Sequence, residues 1–415
     1  MDIRELQQRY VKAPQAAALL KLLEDEKAEN VFLQGLMASA VPLFFAAVAE
    51  KTTRTFLFAL QDADEAGYFY HDLTQVLSTR NVLFFPSSYK RSVRYGQRDS
   101  ANEILRTEVL ARISAREAGS SAPLFIVSHP EALSELVVSK QRLDAQRLSL
   151  RVGGQVDITE VEHTLRGYGF EEVDYVYEPG QFAVRGSILD VYSFSCEYPF
   201  RIDFFGREID TIRTFEVQDQ LSKDRRNEAE IVPELATLTA EKISFLKFLP
   251  EDSVLVVKDF AYIHDVIDRV YREGFAKQAV AERLEGATEM EQKQILSELN
   301  KEASLLTAHR FTEEAASFRR VEFGMNAGKT AADVRQDASK YSVLKFNITP
   351  QPLFHKNFDL LVDTFEDYML KGYQLYILAD SERQTQRLKD IFADMDSPKA
   401  RSIKFEPVNK TLHEG

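Results

Sequence analysis

Residues 177–215 read YEPGQFAVRGSILDVYSFSCEYPFRIDFFGREIDTIRTF, and this stretch decides how the chain is divided. Within it, 181–184, 187–194, 200–205 and 208–215 have the pattern of short strands. Their connections carry Pro179-Gly180, Gly186, Tyr198-Pro199 and Gly206. Strands this closely spaced leave no room for crossover helices, so they are expected to pair antiparallel. A further strand is expected at 173–177, and a helix opening at an Asp or Thr cap over 157–167. Period-two alternation sets the faces: Phe182 and Val184 share one, while Gln181, Ala183 and Arg185 share the other. Past Gly186, Ile188, Asp190 and Tyr192 alternate against Leu189, Val191 and Ser193.

The flanks have a different texture. Residues 1–30 carry apolar residues at helical spacing, broken at Pro14. Apolar runs follow at 30–33 (NVFL), 55–60 (TFLFAL), 81–85 (NVLFF) and 123–128 (PLFIVS), with helix-like segments between them. Buried strands alternating with helices mean βαβ units and a parallel sheet. Downstream, a strand is expected at 253–257 and a helical tract over 259–319. A small, polar linker is expected at 323–342, then helix 358–371, strand 374–379 and helix 381–392. The expected architecture is α/β. A parallel-sheet domain is built from 1–131 and 211–320, a small antiparallel α+β domain is inserted at 132–210, and a partial α/β domain occupies 321–415.

Composition excludes several classes. The 415 residues are 44% hydrophobic and 28% charged, which is globular rather than disordered. The N-terminus, MDIRELQQRY, has no apolar core of a secretory signal. No apolar run approaches the ~20 residues of a membrane span, so a soluble, cytoplasmic protein without a membrane partner is expected. A single cysteine, Cys196, rules out internal disulfides and multi-cysteine metal sites. The net charge of −13 gives no general coat for nucleic acid. Lys90-Arg91-Ser92-Val93-Arg94 is the best local DNA contact, and DNA binding is expected to be weak.

Chemical motifs are sparse. The loop after the first strand lies in VFLQGLMASAVPLFF. Against the phosphate-loop pattern G-x-x-x-x-G-K-[ST], Gly35 matches the first glycine. Ala40, Val41 and Pro42 stand where the second glycine, the lysine and the magnesium-binding hydroxyl belong. The chemistry for ATP and magnesium is therefore missing. A second candidate, Gly324 to Thr330, ends in GKT with one spacer residue too few. The seven histidines show no H-x-x-x-H pair, no G-x-S-x-G elbow occurs, and neither a metal site nor a catalytic centre is expected.

The run from Glu178 to Val191, EPGQFAVRGSILDV, resembles the signature of the UvrB-like module of bacterial transcription-repair coupling factors (Mfd). Arg201-Ile202-Asp203-Phe204-Phe205-Gly206, and the segment Glu208 to Phe215, continue the match. Phe84 to Tyr89 resembles the proline-aromatic segment of the family's first domain. The resemblance implies a degenerate helicase-like, P-loop NTPase-type domain carrying a UvrA-binding insertion. It implies a DNA-repair role: recruiting UvrA to stalled RNA polymerase in transcription-coupled nucleotide excision repair. RNA polymerase binding and the ATP- and magnesium-driven translocation of DNA would belong to parts of the family protein absent from this sequence, which is expected to be an N-terminal fragment. By position, Arg185 falls on the family's interface arginine, Phe182 and Tyr192 on adjoining aromatic positions, and Arg166 on the preceding helix. Arg185→Ala is expected to cost about 2–4 kcal/mol of UvrA binding with the fold intact. The alternatives are an active UvrB-type helicase subunit, against which Ala40-Val41-Pro42 and the pair Tyr89 and Tyr95 in place of a tyrosine-rich hairpin argue, and a structural module that masks the motor.

Overall fold

The computed structural model describes residues 3–25, 30–77, 79–89, 99–116, 122–235, 242–325, 327 and 341–414. Its first unit is a seven-stranded sheet with every neighbouring pair parallel. The order is Tyr341–Lys345, Asn30–Gln34, Arg319–Gly324, Val254–Val257, Thr55–Ala59, Leu124–Ser128 and Val82–Phe85. The central strands are apolar on both faces because helices cover both. In Thr55–Ala59, Phe56 and Phe58 point into one core with Val31, Leu33 and Val127. Leu57 and Ala59 point into the other with Ile126, Leu255 and Val257. Helix Ala40–Ala49 fills the first of these with Phe44, Phe45 and Val48, and helix Phe260–Glu273 lays Ile263 and Ile267 on the second.

The second unit leaves the first through a narrow neck. Leu148–Arg151 and Glu228–Ile231 pair antiparallel, so the chain enters and leaves side by side. Between them lies a six-stranded sheet in the order Ser222–Arg226, Glu208–Phe215, Phe200–Phe205, Ile188–Val191, Gln181–Arg185 and Glu171–Glu172. The expected antiparallel pairing holds for four of the expected strands, Gln181–Arg185 to Glu208–Phe215, and Ser222–Arg226, not expected, adds a fifth; the two-residue edge Glu171–Glu172 runs parallel to Gln181–Arg185. Helix Ile158–Gly167, capped by the Asp157 carboxylate, packs Val161 and Leu165 beneath one sheet face. Residues 173–177 form no strand, although Val176 is fully buried.

Two expected boundaries cut hydrogen-bonded strands. Position 210 falls inside Glu208–Phe215, and the second sheet continues to Arg226. Position 321 falls inside Arg319–Gly324, and Tyr341–Lys345 beyond it joins the first sheet beside Asn30–Gln34. A small third unit follows, with helices Phe358–Leu370 and Glu382–Asp394 and the parallel pair Tyr376–Leu378 and Glu406–Val408. The helical tract expected over 259–319 is five helices. Gly274 (φ 63°) and Gly286 (φ 76°) take left-handed backbone between successive helices, which breaks the run. Lys90–Arg94, Tyr95 and Gly328–Thr330 lie outside the described residues. Among the described residues no helix is long and apolar enough to cross a membrane.

Phe58 is fully buried, with the Phe45, Phe69 and Phe125 ring centroids 4.9, 5.0 and 5.9 Å away. Phe58→Ala is expected to destabilise the chain by about 3–5 kcal/mol, read as a shift in the urea midpoint. Phe205, 83% exposed, serves as the control, and Phe205→Ala should leave the midpoint in place.

Candidate protein-interaction face and the acidic cleft

The carboxyl ends of a parallel sheet are where such folds place ligands. Here they open into a cleft of about 640 Å³. Gly35 follows the first strand with φ 87°, and its N–H donates to the Gly324 carbonyl at 2.9 Å. A Cβ at this position would sit 2.4 Å from the Phe346 carbonyl oxygen, so glycine is required by close backbone approach. Ala40 begins the next helix half-buried, and Val41 and Pro42 are buried within it. Val41 belongs to the apolar core, where it offers no charge to a phosphate.

The cleft is acidic. Asp62, Asp64, Glu65, Asp72, Asp259, Glu322 and Glu414 line it, against Lys258 and His413. Lys258 is ion-paired with Glu65 at 2.5 Å. His413 and Glu414, from the chain's own C-terminal segment, form part of one wall. The His413 ring stacks on Tyr68 at 3.6 Å and 7°. Its backbone N–H donates to both Asp72 oxygens, at 2.9 and 3.1 Å. Burial is the main reason the Asp72 carboxyl is raised above its usual range. The Ser39 hydroxyl, at the helix start, donates to the Glu414 carbonyl. Gly324, Met325 and Ala327, from the GKT-like stretch, line the same cleft.

The second unit carries the other candidate residues. Arg185 lies on the outer face of its sheet, as alternation required. Its Nη2 pairs with Asp190 and its Nη1 donates to the Asp174 carbonyl at 2.9 Å. Asp190 is fully buried and also receives Arg201 through Nε and Nη2, both at 2.8 Å. These bonds raise the Arg201 guanidinium above its ordinary value. Phe182, nominated as a contact residue, has no exposed surface. It faces the core with Leu189, Val191 and Ile202, as its place in the alternation dictates. Tyr192 is half-buried, and its hydroxyl donates to the Glu197 carbonyl at 2.6 Å. Burial foremost, with Cys196 and Glu197 nearby, pushes its phenol up to about 12. Arg166 is exposed, pairs with Glu172 at 2.7 Å and Glu162 at 3.0 Å, and lies 5.6 Å from the Phe182 ring.

Residues 148–236 match the family model described as the UvrB interaction domain. That span begins on the first strand of the neck and ends just beyond the second. Over 89% of its length the chain is 25% identical to the transcription-repair-coupling factor of Bacillus subtilis (strain 168). It is 22% identical, over the same share, to that of Staphylococcus aureus (strain USA300). Along most of its length the chain is thus similar to transcription-repair-coupling factors. It spans about a third of their length, 35% in both cases.

The pairing of Asp190 with Arg201 follows from alternation once the strand register is known. Asp190 shares Arg185's face, and the register sets Arg201 directly opposite it. Tyr175 and Tyr177 lie in 173–177, expected to be a strand of the sheet and so not singled out as surface groups, and Leu221 lies in a turn without strand period. They are 53%, 54% and 66% exposed, large apolar groups beside the Arg185 face.

Two outcomes follow for this unit. Arg201 is the better buried partner of Asp190, 15% exposed against 37% for Arg185. Arg201→Ala is expected to cost about 3 kcal/mol of stability, and Arg185→Ala about 1 kcal/mol or less, compared in paired denaturation curves. The Cys196 thiol donates to the Tyr198 carbonyl, and burial pushes it up to about 12. At pH 8 it should resist iodoacetamide in the native protein and alkylate readily in denaturant.

Proposed function

We propose that this chain is a non-catalytic recruitment module of a transcription-repair coupling factor, and that its inserted unit docks on UvrA. The reading is supported above all by one observation: the span matching the UvrB interaction domain coincides with a unit set off by its own neck. A unit joined through two adjacent strands holds its own core and presents its outer face independently. The outer face, with Arg185 and its exposed neighbours, is the docking surface in this reading.

No nucleotide or metal cofactor is assigned to these residues. The negative cleft would repel a triphosphate, and Val41 and Pro42 stand where the lysine and the hydroxyl are needed. Contacts with RNA polymerase and the ATP-driven movement along DNA are assigned to the parts of such factors that this sequence does not cover. The place of action is the cytoplasm. An active UvrB-type helicase subunit is disfavoured by the same cleft.

The test is calorimetry of the whole chain against purified UvrA, with a fluorescent ATP analogue and magnesium titrated separately. Saturable UvrA binding and no saturable nucleotide binding are expected. Nucleotide saturation at micromolar concentration, abolished by blocking the cleft, would favour the helicase reading. Absence of UvrA binding would end the recruitment reading.

A further inference from the structure

Past Val173, whose N–H donates to the Phe182 carbonyl at 2.9 Å, residues 174–178 run over the outer face of the second sheet without joining its ladder. Val176 anchors the segment, buried with Ala183 and Phe215. Its neighbours Tyr175 and Tyr177 turn outward, as alternation about a buried residue requires. Three polar side chains staple the segment down. Arg185 Nη1 donates to the Asp174 carbonyl, and its guanidinium lies 5.2 Å from the Tyr175 ring centroid. Gln181 Oε1 accepts the N–H groups of Tyr177 and Glu178 at 2.9 and 3.0 Å. Gln220 Nε2 donates to the Val176 carbonyl at 3.3 Å, which brings the adjoining Leu221 alongside.

Both terminal nitrogens of Arg185 therefore have partners within the chain, one a carboxylate and one a carbonyl. Along this segment and the turn beside it, Tyr175, Tyr177 and Leu221 are large apolar side chains left in water, and aromatic residues are common anchors of interfaces. The exposed carboxylates of Asp174, Glu178 and Asp219 belong to the same two segments.

We infer that Tyr175, Tyr177 and Leu221 are the residues that meet the partner, and that Arg185 is a positioning residue which holds the tyrosine segment in place. The inference rests on the proposed docking of UvrA on this unit. The partner face it calls for is an apolar recess rimmed by Lys or Arg, complementary to the acidic segments.

The experiment is a double-mutant cycle on the whole chain, read by calorimetry against UvrA with thermal melts alongside. Tyr175→Ala, Tyr177→Ala and Leu221→Ser should each weaken binding by about tenfold or more with the melt unchanged. Arg185→Ala should weaken binding in the native background. On the Tyr175→Ala, Tyr177→Ala background it should add nothing. Hydrogen exchange of the unbound Arg185→Ala chain should rise at 174–178, and wild-type binding should weaken with added salt. Tyrosine variants that bind as wild type, or a full additional loss from Arg185→Ala on the double background, would overturn the inference and leave Arg185 as a direct contact. A wild-type chain that binds no UvrA overturns the recruitment reading and the partner assignment together. The exchange data then decide by themselves whether Arg185 orders the segment, and unchanged exchange at 174–178 overturns that part as well.

Discussion

A parallel strand covered by helices on both faces has no side chain to spare for chemistry. In Thr55–Ala59 every residue is buried, Phe56 and Phe58 to one side and Leu57 and Ala59 to the other. Leu124–Ser128 and Val254–Val257 obey the same constraint. Polar function in such a fold is displaced to strand ends and to insertions. This chain follows both routes, with different outcomes. The strand ends form a cleft whose loop presents apolar residues to the core. The insertion between Leu148–Arg151 and Glu228–Ile231 carries the charged and aromatic surface.

The insertion has a constraint of its own in Asp190. A fully buried carboxylate loses several kcal/mol of hydration, and only well-placed partners offset that loss. Arg201 supplies two hydrogen bonds from the adjacent strand, and Arg185 supplies another from the strand on the far side. The carboxylate thus ties three neighbouring strands together on the outer face. The same tie fixes the guanidinium of Arg185 and, through the Asp174 carbonyl, the segment that exposes Tyr175 and Tyr177. Fold stability and surface presentation are coupled here through one buried charge.

Much of this was legible in the residues. Short apolar runs located the strands starting at Asn30, Thr55, Val82 and Leu124, because full burial demands apolar side chains at every position. Alternation placed Arg185 outward, and the same alternation placed Phe182 in the core, against its nomination as a contact. The strand Tyr341–Lys345 was hidden because a half-exposed edge strand needs no apolar run. Its membership in the first sheet depends on pairing with a strand some three hundred residues earlier. Tyr175 and Tyr177 were hidden for a related reason. Their segment alternates like a strand and was expected to be one, but past Val173, whose N–H donates to the Phe182 carbonyl, it is held by side chains of Arg185, Gln181 and Gln220 rather than by a ladder.

At the carboxyl ends of the strands the chain's own C-terminal segment meets the start of a helix. A helix N-terminus carries partial positive charge and unsatisfied N–H groups, the feature that suits phosphate. At Ala40–Ala49 the preceding hydroxyl of Ser39 meets a neutral carbonyl, that of Glu414, instead of an anion. Across the cleft, Asp72 receives the N–H of His413, and the imidazole covers Tyr68. Leu412, on the same segment, packs with Ile3, Leu43 and Val76. A stretch of the chain's own backbone thus brings a carbonyl, an N–H and an apolar side chain to a site whose carboxylates would repel a phosphate. These contacts hold the third unit against the first, so the carboxyl end of the sheet serves here as a structural seam.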